Sequence, residues 1–180
     1  MKLGIFDSGI GGTAIARTLQ LHFPLAELIV VNDRKNIPYG DKEPSEIIHM
    51  TDAAIQPLLS LRCDAIVIAC NTATALAIDS LRASYPDQLF IGIEPMIKTA
   101  AQLTKTRTIA VCATPGTLNS RRYQALIAKY GKELTILEPD CSGWAYAIEN
   151  DLVSRPREHR YTMQTRRRYN SVRLYSLSLD

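Results

Sequence analysis

Short runs of consecutive apolar residues recur along the chain and alternate with longer segments whose apolar residues are three and four positions apart. The short runs are rich in β-branched residues, which is typical of strands buried on both faces, and the longer segments have the spacing of amphipathic helices. Strand–helix alternation predicts an α/β fold of mainly parallel sheets covered by helices. The predicted strands are Leu3–Phe6, Leu28–Val31, Ala65–Ala69, Leu89–Ile91, Thr108–Val111 and Leu134–Leu137, and the predicted helices include Ile15–His22, Ile47–Leu59, Ala73–Leu81 and Tyr123–Tyr130.

Small polar residues crowd the ends of four predicted strands. Because parallel sheets place their ligand sites in loops at the carboxyl ends of the strands, this crowding predicts a pocket there. The loops are Asp7–Thr13, Asn32–Asp41, Cys70–Thr74 and Cys112–Thr117.

The first of these loops matches a dinucleotide-binding pattern, Gly-x-Gly-x-x-Ala, over Gly9–Ala14. Asp33 stands where a ribose-binding acid is expected. Asp7 argues against a dinucleotide, since its carboxylate would repel the pyrophosphate in a poorly solvated turn. An Asp-x-Asp phosphatase motif is also excluded, because Gly9 takes the place of the second acid. The structural alternative is a tight strand-to-helix turn capped by Ser8.

Cys70 is the strongest candidate for chemistry, because it follows a buried strand and precedes a predicted helix. Asn71 and Thr72 are good capping residues for a helix that begins at Ala73. A thiol at a helix N-terminus experiences the positive end of the helix dipole, which favours the thiolate and makes the sulfur a base or nucleophile. The alternative is a small buried apolar residue, as most free cysteines are. The cysteines interpreted as structural are Cys63, Cys112 and Cys141.

Composition narrows the class of protein. The chain has 180 residues, of which 46% are hydrophobic and 22% are charged, so it is a globular rather than a disordered sequence. No apolar run reaches the length of a membrane span, and Asp7 comes too early for a secretory signal. Four irregularly spaced cysteines do not form a disulfide scaffold, so we expect a cytoplasmic protein.

The sequence contains no metal-binding pattern, because its three histidines are scattered and form no paired spacing with cysteines or acids. We expect His22 and His49 to lie on helix faces. No Gly-x-Ser-x-Gly nucleophile elbow occurs either. The remaining chemistry is that of a thiol, a carboxylate, and hydroxyl or amide donors.

Charge is distributed unevenly along the chain. Residues 1–153 carry 14 Lys and Arg against 16 Asp and Glu, whereas residues 154–180 carry seven Arg against two acids. A nucleic-acid-binding domain would spread basic charge over a folded face, whereas residues 1–153 have no excess of basic residues. The basic tail, 154–180, has no clear helical or strand period. It is either a solvated segment, a substitute for another ending, or an Arg/Tyr surface for a polyanion.

Four ordered motifs in residues 1–153 resemble the glutamate racemase branch of the aspartate/glutamate racemase family. Asp140-Cys141 and Ile148–Asp151 also resemble a stretch that precedes the second catalytic half of that family. The resemblance implies two similar α/β domains, here 1–93 and an incomplete 94–153. The four motifs are Gly4–Gly12, Pro38–Gly40, Ala69–Ala73 and Ala113–Thr117.

The resemblance implies cofactor-independent interconversion of L- and D-glutamate for bacterial peptidoglycan, by two cysteines on opposite faces of the α-carbon. Cys70 matches the first catalytic cysteine, Asp7 the acid that assists it, and Glu149 an acid near the second thiol. The positions that match substrate-binding residues are Asp7, Ser8, Tyr39, Gly40, Asn71, Thr72, Thr114 and Thr117.

The chain departs from the family after Val153, because the motif Gly-Cys-Thr-His-Tyr-Pro, which carries the second cysteine, does not follow Asp151. Cys141 already matches the separate stretch before Glu149 and is not a substitute. We therefore expect a substrate half-site with impaired racemisation, or an amino-acid-binding module or remnant without turnover. Without covering elements, apolar surface would be exposed, so we expect low stability or association with other copies.

Overall fold

The computed structural model describes residues 1–149 and, as backbone only, a strand at Tyr175–Leu177. All six predicted strands are present, with ends that differ from the prediction by one residue at most, and the α/β fold class is confirmed. The strands are β1 Lys2–Asp7, β2 Glu27–Asn32, β3 Ala65–Ile68, β4 Phe90–Gly92, β5 Thr108–Ala110, β6 Thr135–Leu137 and β7 Tyr175–Leu177.

The four predicted helices are present as the four longest helices of the described chain. Three shorter helices were not predicted, because seven residues or fewer show too little of the helical period. His22 and His49 lie on α1 and α2, as expected. The helices are α1 Gly11–His22, α2 Pro44–Ser60, α3 Asn71–Ser84, α4 Ile97–Leu103, α5 Pro115–Leu118, α6 Arg121–Tyr130 and α7 Trp144–Glu149. Two 3₁₀ turns, Arg34–Asn36 and Tyr39–Asp41, connect β2 to α2.

The main sheet is entirely parallel and has the strand order β4-β3-β1-β2-β7. Alternate residues of a strand point to opposite faces, and here both faces are buried. Phe6, Ile66 and Ile68 pack with α2 and α3 in one cluster. Leu3 and Ile5 pack against α1 in the other. Burial on both faces explains why these strands are continuous apolar runs.

The second sheet contains β5 and β6, which are parallel, and it is buried on one face only. Ile109 and Ile136 pack into a small core around Tyr123 and Ile97, which α4 and α6 cover. On the other face Ala110 and Leu137 are exposed. The expectation of burial on both faces is therefore wrong for these two strands.

Strand β7 pairs in parallel with β2, with Ile29 opposite Tyr175. The sequence predicted no strand in the basic tail, and this prediction is wrong for Tyr175–Leu177. Three residues within an arginine-rich segment are too few to show a period of two. The other predictions for 154–180, including a polyanion-binding surface, fall outside the described residues.

No helix in the described part of the chain is both long and apolar enough to cross a bilayer.

We predict that Leu58→Ala lowers the free energy of unfolding by about 2–5 kcal/mol, because Leu58 of α2 is fully buried against the main sheet and the smaller side chain leaves a cavity. Urea denaturation measures the change. The matched control is Leu25→Ala, since Leu25 is 97% exposed and its truncation should cost less than about 0.5 kcal/mol. Equal losses in the two variants would contradict the assignment of the core.

Candidate active site

The four polar loops predicted from the sequence border a single cavity of about 480 Å³ at the carboxyl ends of the strands. The segment that leads into α7, together with α7 itself, forms the rest of the wall. The lining includes every residue that the sequence nominated: Asp7, Ser8, Tyr39, Gly40, Cys70, Asn71, Thr72, Thr114, Thr117 and Glu149.

Cys70 is the N-cap of α3, and its sulfur takes the place that a capping oxygen usually has. The Ala73 amide donates a hydrogen bond to Cys70 Sγ at 3.4 Å, and the hydroxyl of Ser8 lies 3.3 Å from the same sulfur. The prediction that Asn71 and Thr72 cap a helix that begins at Ala73 is therefore wrong. The helix begins two residues earlier, at Asn71, and its Ala73 amide points at the thiol.

Burial raises the pKa of the Cys70 thiol, and the nearby carboxylate of Asp7 raises it further. Hydrogen bonds from Ser8 and Ala73 act in the opposite direction but do not compensate. The hydrogen bonds at the helix N-terminus do lower the pKa of Cys70, as expected. The expectation of a net shift towards the thiolate is wrong, because the pKa is raised overall. With only 6% of the residue exposed, the sulfur loses more from missing solvation than it gains from the amides.

Asp7 organises the turn between β1 and α1. Its Oδ2 accepts hydrogen bonds from the amides of Gly9 and Gly12, both at 3.0 Å. The expected Ser8 cap is absent, since the N-cap of α1 is Ile10 and makes no side-chain capping bond. A Cβ on Gly12 would lie 2.8 Å from Asp7 Cβ, so only glycine allows this approach. The amides that a dinucleotide phosphate would need are thus bound to Asp7.

Glu149 lies on the other side of the same turn. Its Oε1 accepts a hydrogen bond from the Ile10 amide at 2.8 Å, and its buried Oε2 has no hydrogen-bond partner among the described residues. A Cβ on Gly9 would overlap the Glu149 carboxylate, which explains glycine at this position. Burial raises the pKa of Asp7, its backbone hydrogen bonds lower it, and the charge of Glu149 raises it again; the net direction is upward.

Three hydroxyl groups of the cavity lining form a continuous chain. Thr114 Oγ1 lies 2.9 Å from Thr72 Oγ1 and 3.2 Å from Thr117 Oγ1. Thr114 is also the N-cap of α5, because its side chain accepts a hydrogen bond from the Thr117 amide at 3.4 Å. Gly40 packs closely against Thr114, and a Cβ there would lie 2.6 Å from Thr114 Cγ2. The wall therefore offers neutral hydroxyl groups from the start of α3 and from the loop and first turn of α5.

Tyr39 borders the cavity, but its hydroxyl is already used inside the protein. It donates to Asp33 Oδ2 at 2.7 Å, and Asn36 donates to both oxygens of the same carboxylate. Burial and the bond to Asp33 raise the pKa of Tyr39, so the group stays a neutral donor. Asp33, which the dinucleotide hypothesis placed at a ribose, instead holds the Pro38–Gly40 turn in place.

Cys112 and Cys141 are also part of the cavity wall, although the sequence indicated a structural role. Cys112 is exposed and Cys141 is half exposed, whereas Cys63 is buried as expected. The position of Cys112 in a predicted ligand loop could have indicated that this cysteine lines the cavity. Cys141 precedes a helix too short to be predicted, and only the family resemblance of Asp140-Cys141 marked its position.

Charge in the cavity is entirely negative among the lining residues that the structure describes, since it comes from Asp7 and Glu149 and from no Lys, Arg or His. An ammonium group is therefore favoured near the two carboxylates. Hydroxyl and amide donors suit carboxylate groups on the other wall. No group of three metal-ligating side chains occurs in the described part of the chain. The arrangement suits a small zwitterion with a thiol beside it.

The comparisons with known proteins agree on one family. The family model for Asp/Glu/Hydantoin racemase matches residues 13–161. The chain is 41% identical over 153 residues to a glutamate racemase of Clostridium novyi, a match that covers 85% of this chain and 59% of the relative. It is 37% identical to a glutamate racemase of Clostridium acetobutylicum, covering 88% and 62%. The chain thus spans about three fifths of the length of these relatives.

Solved structures show the same fold. A glutamate racemase of Escherichia coli, in complex with L-glutamate and the activator UDP-MurNAc-ala, superposes with a TM-score of 0.77 at 28% identity, over 84% of this chain and 57% of the other. A glutamate racemase of Francisella tularensis in complex with D-glutamate gives 0.71 at 32% identity, over 85% and 57%.

We predict that Asp7→Asn shifts the pH profile of Cys70 alkylation towards lower pH. Removing the neighbouring negative charge lowers the pKa of the thiol, so thiolate forms at a lower pH. Iodoacetamide labelling at a series of pH values, followed at Cys70 by peptide mass spectrometry, measures the shift. Asp87→Asn, at an exposed position after α3, is the control and should leave the profile unchanged. An unchanged profile in Asp7→Asn would show that the two groups do not interact.

Proposed function

Because the chain belongs to the Asp/Glu/Hydantoin racemase family, we propose that it binds glutamate in this cavity and exchanges the α-proton through Cys70. The observation that carries the proposal is the position of the Cys70 sulfur. It lies in the wall of a cavity that is also lined by the Asp7 carboxylate and by a chain of threonine hydroxyls. The complexes of related racemases with L- and D-glutamate support the choice of substrate.

The proposed pose follows from charge. The ammonium group of glutamate lies near Asp7 and Glu149, and its carboxylates accept hydrogen bonds from Ser8, Asn71, Thr72, Thr114 and Thr117. Glycine at position 40 keeps the Thr114 hydroxyl in its place. Each oxygen that becomes more negative when the α-proton leaves then faces donors that are already oriented, which stabilises the carbanion without a cofactor.

The same pose resolves the unfavourable thiol pKa. In the cavity as it stands, burial and the Asp7 carboxylate both favour the neutral thiol of Cys70. A substrate ammonium beside Asp7 neutralises that charge and brings a positive charge close to the sulfur. Both changes lower the pKa of the thiol, so substrate binding itself prepares the base.

Racemisation requires a proton donor and a proton acceptor on opposite faces of the α-carbon. Residues 1–180 contain no Gly-Cys-Thr-His-Tyr-Pro motif to supply the second thiol. We therefore propose that this chain exchanges the α-proton on one face, with weak net racemisation. In a protein with both thiols, the reaction would supply D-glutamate for peptidoglycan. Amino-acid binding without turnover is the second candidate, favoured by the raised pKa of Cys70.

We predict that one enantiomer of glutamate acquires α-deuterium in D₂O with retention of configuration, while the other does not. NMR measures deuteration and polarimetry measures inversion. Cys70→Ser should lower the exchange rate at least about 100-fold, since an alcohol cannot replace the thiolate as base. Cys63→Ser, at a buried cysteine away from the cavity, is the matched control and should retain exchange.

Other outcomes of the same experiment separate the candidates. Saturable binding heat with neither enantiomer exchanged would favour binding without turnover. Rapid inversion of both enantiomers would contradict the single-base proposal. No binding heat for either enantiomer would overturn the proposed function.

We further propose that residues 1–93 and 94–153 are two domains, and that the second associates with other copies of the chain. Several large apolar side chains are exposed there, among them Met96, Leu103 and Leu137. Exposed groups of this kind favour association.

We predict a molar mass above that of the monomer, rising with concentration, in size-exclusion chromatography with light scattering. Leu103→Glu should shift the distribution towards monomer, because Leu103 is 73% exposed and a charge there opposes apolar contact. Leu25→Glu, at an exposed position before β2, serves as the control and should leave it unchanged. A monomer at all concentrations would contradict the association.

A further inference from the structure

Arg122, in the first turn of α6, joins three parts of the chain through its guanidinium group. Its Nη1 donates to Asp79 Oδ1 of α3 at 2.8 Å, and its Nε donates to Glu94 Oε1 at 2.9 Å. Its Nη2 lies 2.9 Å from the same Glu94 oxygen. Glu94 belongs to the segment between β4 and α4. One cation therefore holds α6, the side of α3 and the segment after β4 together.

This cluster differs from an ordinary surface ion pair. The Arg122 side chain is 27% exposed and contacts two carboxylates, whereas the Arg107–Glu133 pair is 70% and 76% exposed and joins one of each. Isolated exposed pairs contribute little, because water screens them and ordering two long side chains costs entropy. A guanidinium group that donates to two carboxylates at once fixes their geometry more strongly.

Helix α3 presents one stripe of side chains to α5 and α6. Thr72, Leu76 and Asp79 are four and three positions apart, which places them along one face of the helix. Thr72 Oγ1 lies 2.9 Å from Thr114 Oγ1 at the start of the stripe. An added Cβ on Gly116 would lie 3.3 Å from Leu76 Cδ1, so α5 packs closely against the middle of it. The ionic contact of Asp79 holds the far end.

The helices α5 and α6 are linked by a short buried connection. Ser120, the N-cap of α6, donates from Oγ to the Thr117 carbonyl at 2.7 Å and accepts from the Tyr123 amide at 3.1 Å. All three of these residues are buried. A shift of α6 relative to α3 would therefore carry Thr117 with it, and the Thr117 hydroxyl is in contact with that of Thr114.

We propose that Arg122 is a positioning residue for the cavity. With Asp79 and Glu94 it holds α5 and α6 on α3, and so keeps the hydroxyls of Thr114 and Thr117 at the start of the helix that Cys70 caps. Arg122 acts through these elements, since it is not among the described residues that line the cavity. The inference rests on the proposed function only in treating those hydroxyls as glutamate donors.

The first test needs no substrate and measures the rate of Cys70 alkylation by iodoacetamide at fixed pH. A Cys63→Ser background leaves Cys70 as the sole cysteine of tryptic peptide 63–82. Arg122→Met should raise the rate about 3- to 10-fold, the size of coupling expected for one charge-assisted contact, because looser packing of α5 on α3 exposes the sulfur. Arg107→Met, at the exposed pair, is the matched control and should leave the rate unchanged.

Two further variants test the ionic contact itself. Glu94→Gln removes the other partner and should change the rate in the same direction, with little further effect when it is combined with Arg122→Met. Arg122→Lys should restore part of the protection, because it keeps the charge and loses the planar fork of donors. Circular dichroism and urea denaturation confirm that each variant is folded under the conditions of labelling.

The second test measures the dissociation constant of glutamate by calorimetry. Arg122→Met should raise it about 3- to 10-fold, because the threonine donors are no longer held in place. Leu58→Ala should leave it unchanged below the unfolding midpoint, since Leu58 is buried in the main core and does not line the cavity. A general loss of stability would weaken binding in both variants.

The outcomes separate this inference from the proposed function. Unchanged alkylation in both Arg122→Met and Glu94→Gln, or equal acceleration in Arg107→Met, would overturn the positioning role. Faster alkylation with an unaltered glutamate dissociation constant would show that the threonine hydroxyls are not positioned in this way. If alkylation accelerates as expected and the unaltered chain binds no glutamate, the positioning of the wall stands and the proposed function fails.

Discussion

The buried carboxylate of Asp7 is the interaction on which the rest of the site depends. It comes at the end of β1, where β2 and β3 pair on either side, so its backbone is fixed by the most buried part of the sheet. A charge in such a place needs compensation, which the amides of Gly9 and Gly12 provide. These bonds in turn determine how the chain enters α1. The Asp7 side chain thus determines both the conformation of the turn and the electrostatic potential in this part of the cavity.

That potential explains why the cavity favours a zwitterion over a simple anion. Asp7 and Glu149 lie on two sides of the turn at Gly9 and Ile10, and the charge of Glu149 raises the pKa of Asp7. A ligand ammonium group would relieve this repulsion, whereas a second anion there would increase it. The hydroxyls of Thr72, Thr114 and Thr117 lie on another wall, where they can bind carboxylate oxygens without adding charge.

Sequence patterns predicted the main sheet well, because strands buried on both faces must be continuously apolar and leave a strong signal. The strand-end rule located four loops of the cavity wall, whereas the individual site residues, Glu149 among them, came from the family resemblance; all of them line the cavity. Sequence patterns failed where the outcome depends on tertiary surroundings. The helix-dipole argument correctly predicted that the start of α3 lowers the pKa of Cys70. It could not predict that burial raises this pKa by more. Strand β7 depends on pairing with the distant β2, and α7 is too short to show a helical period, so local periodicity predicts neither.

Three glycines show how closely the segments that line the cavity approach one another. An added Cβ at Gly9 would overlap the Glu149 carboxylate, one at Gly12 would lie 2.8 Å from the Cβ of Asp7, and one at Gly40 would lie 2.6 Å from the methyl group of Thr114. These positions are therefore constrained by the site rather than by backbone conformation, since none of them has a positive φ. The same closeness means that a shift of the α7 segment changes the environment of Asp7 through Glu149. The electrostatics of Cys70 thus depend on a helix that follows it by more than seventy residues and reaches it through two carboxylates.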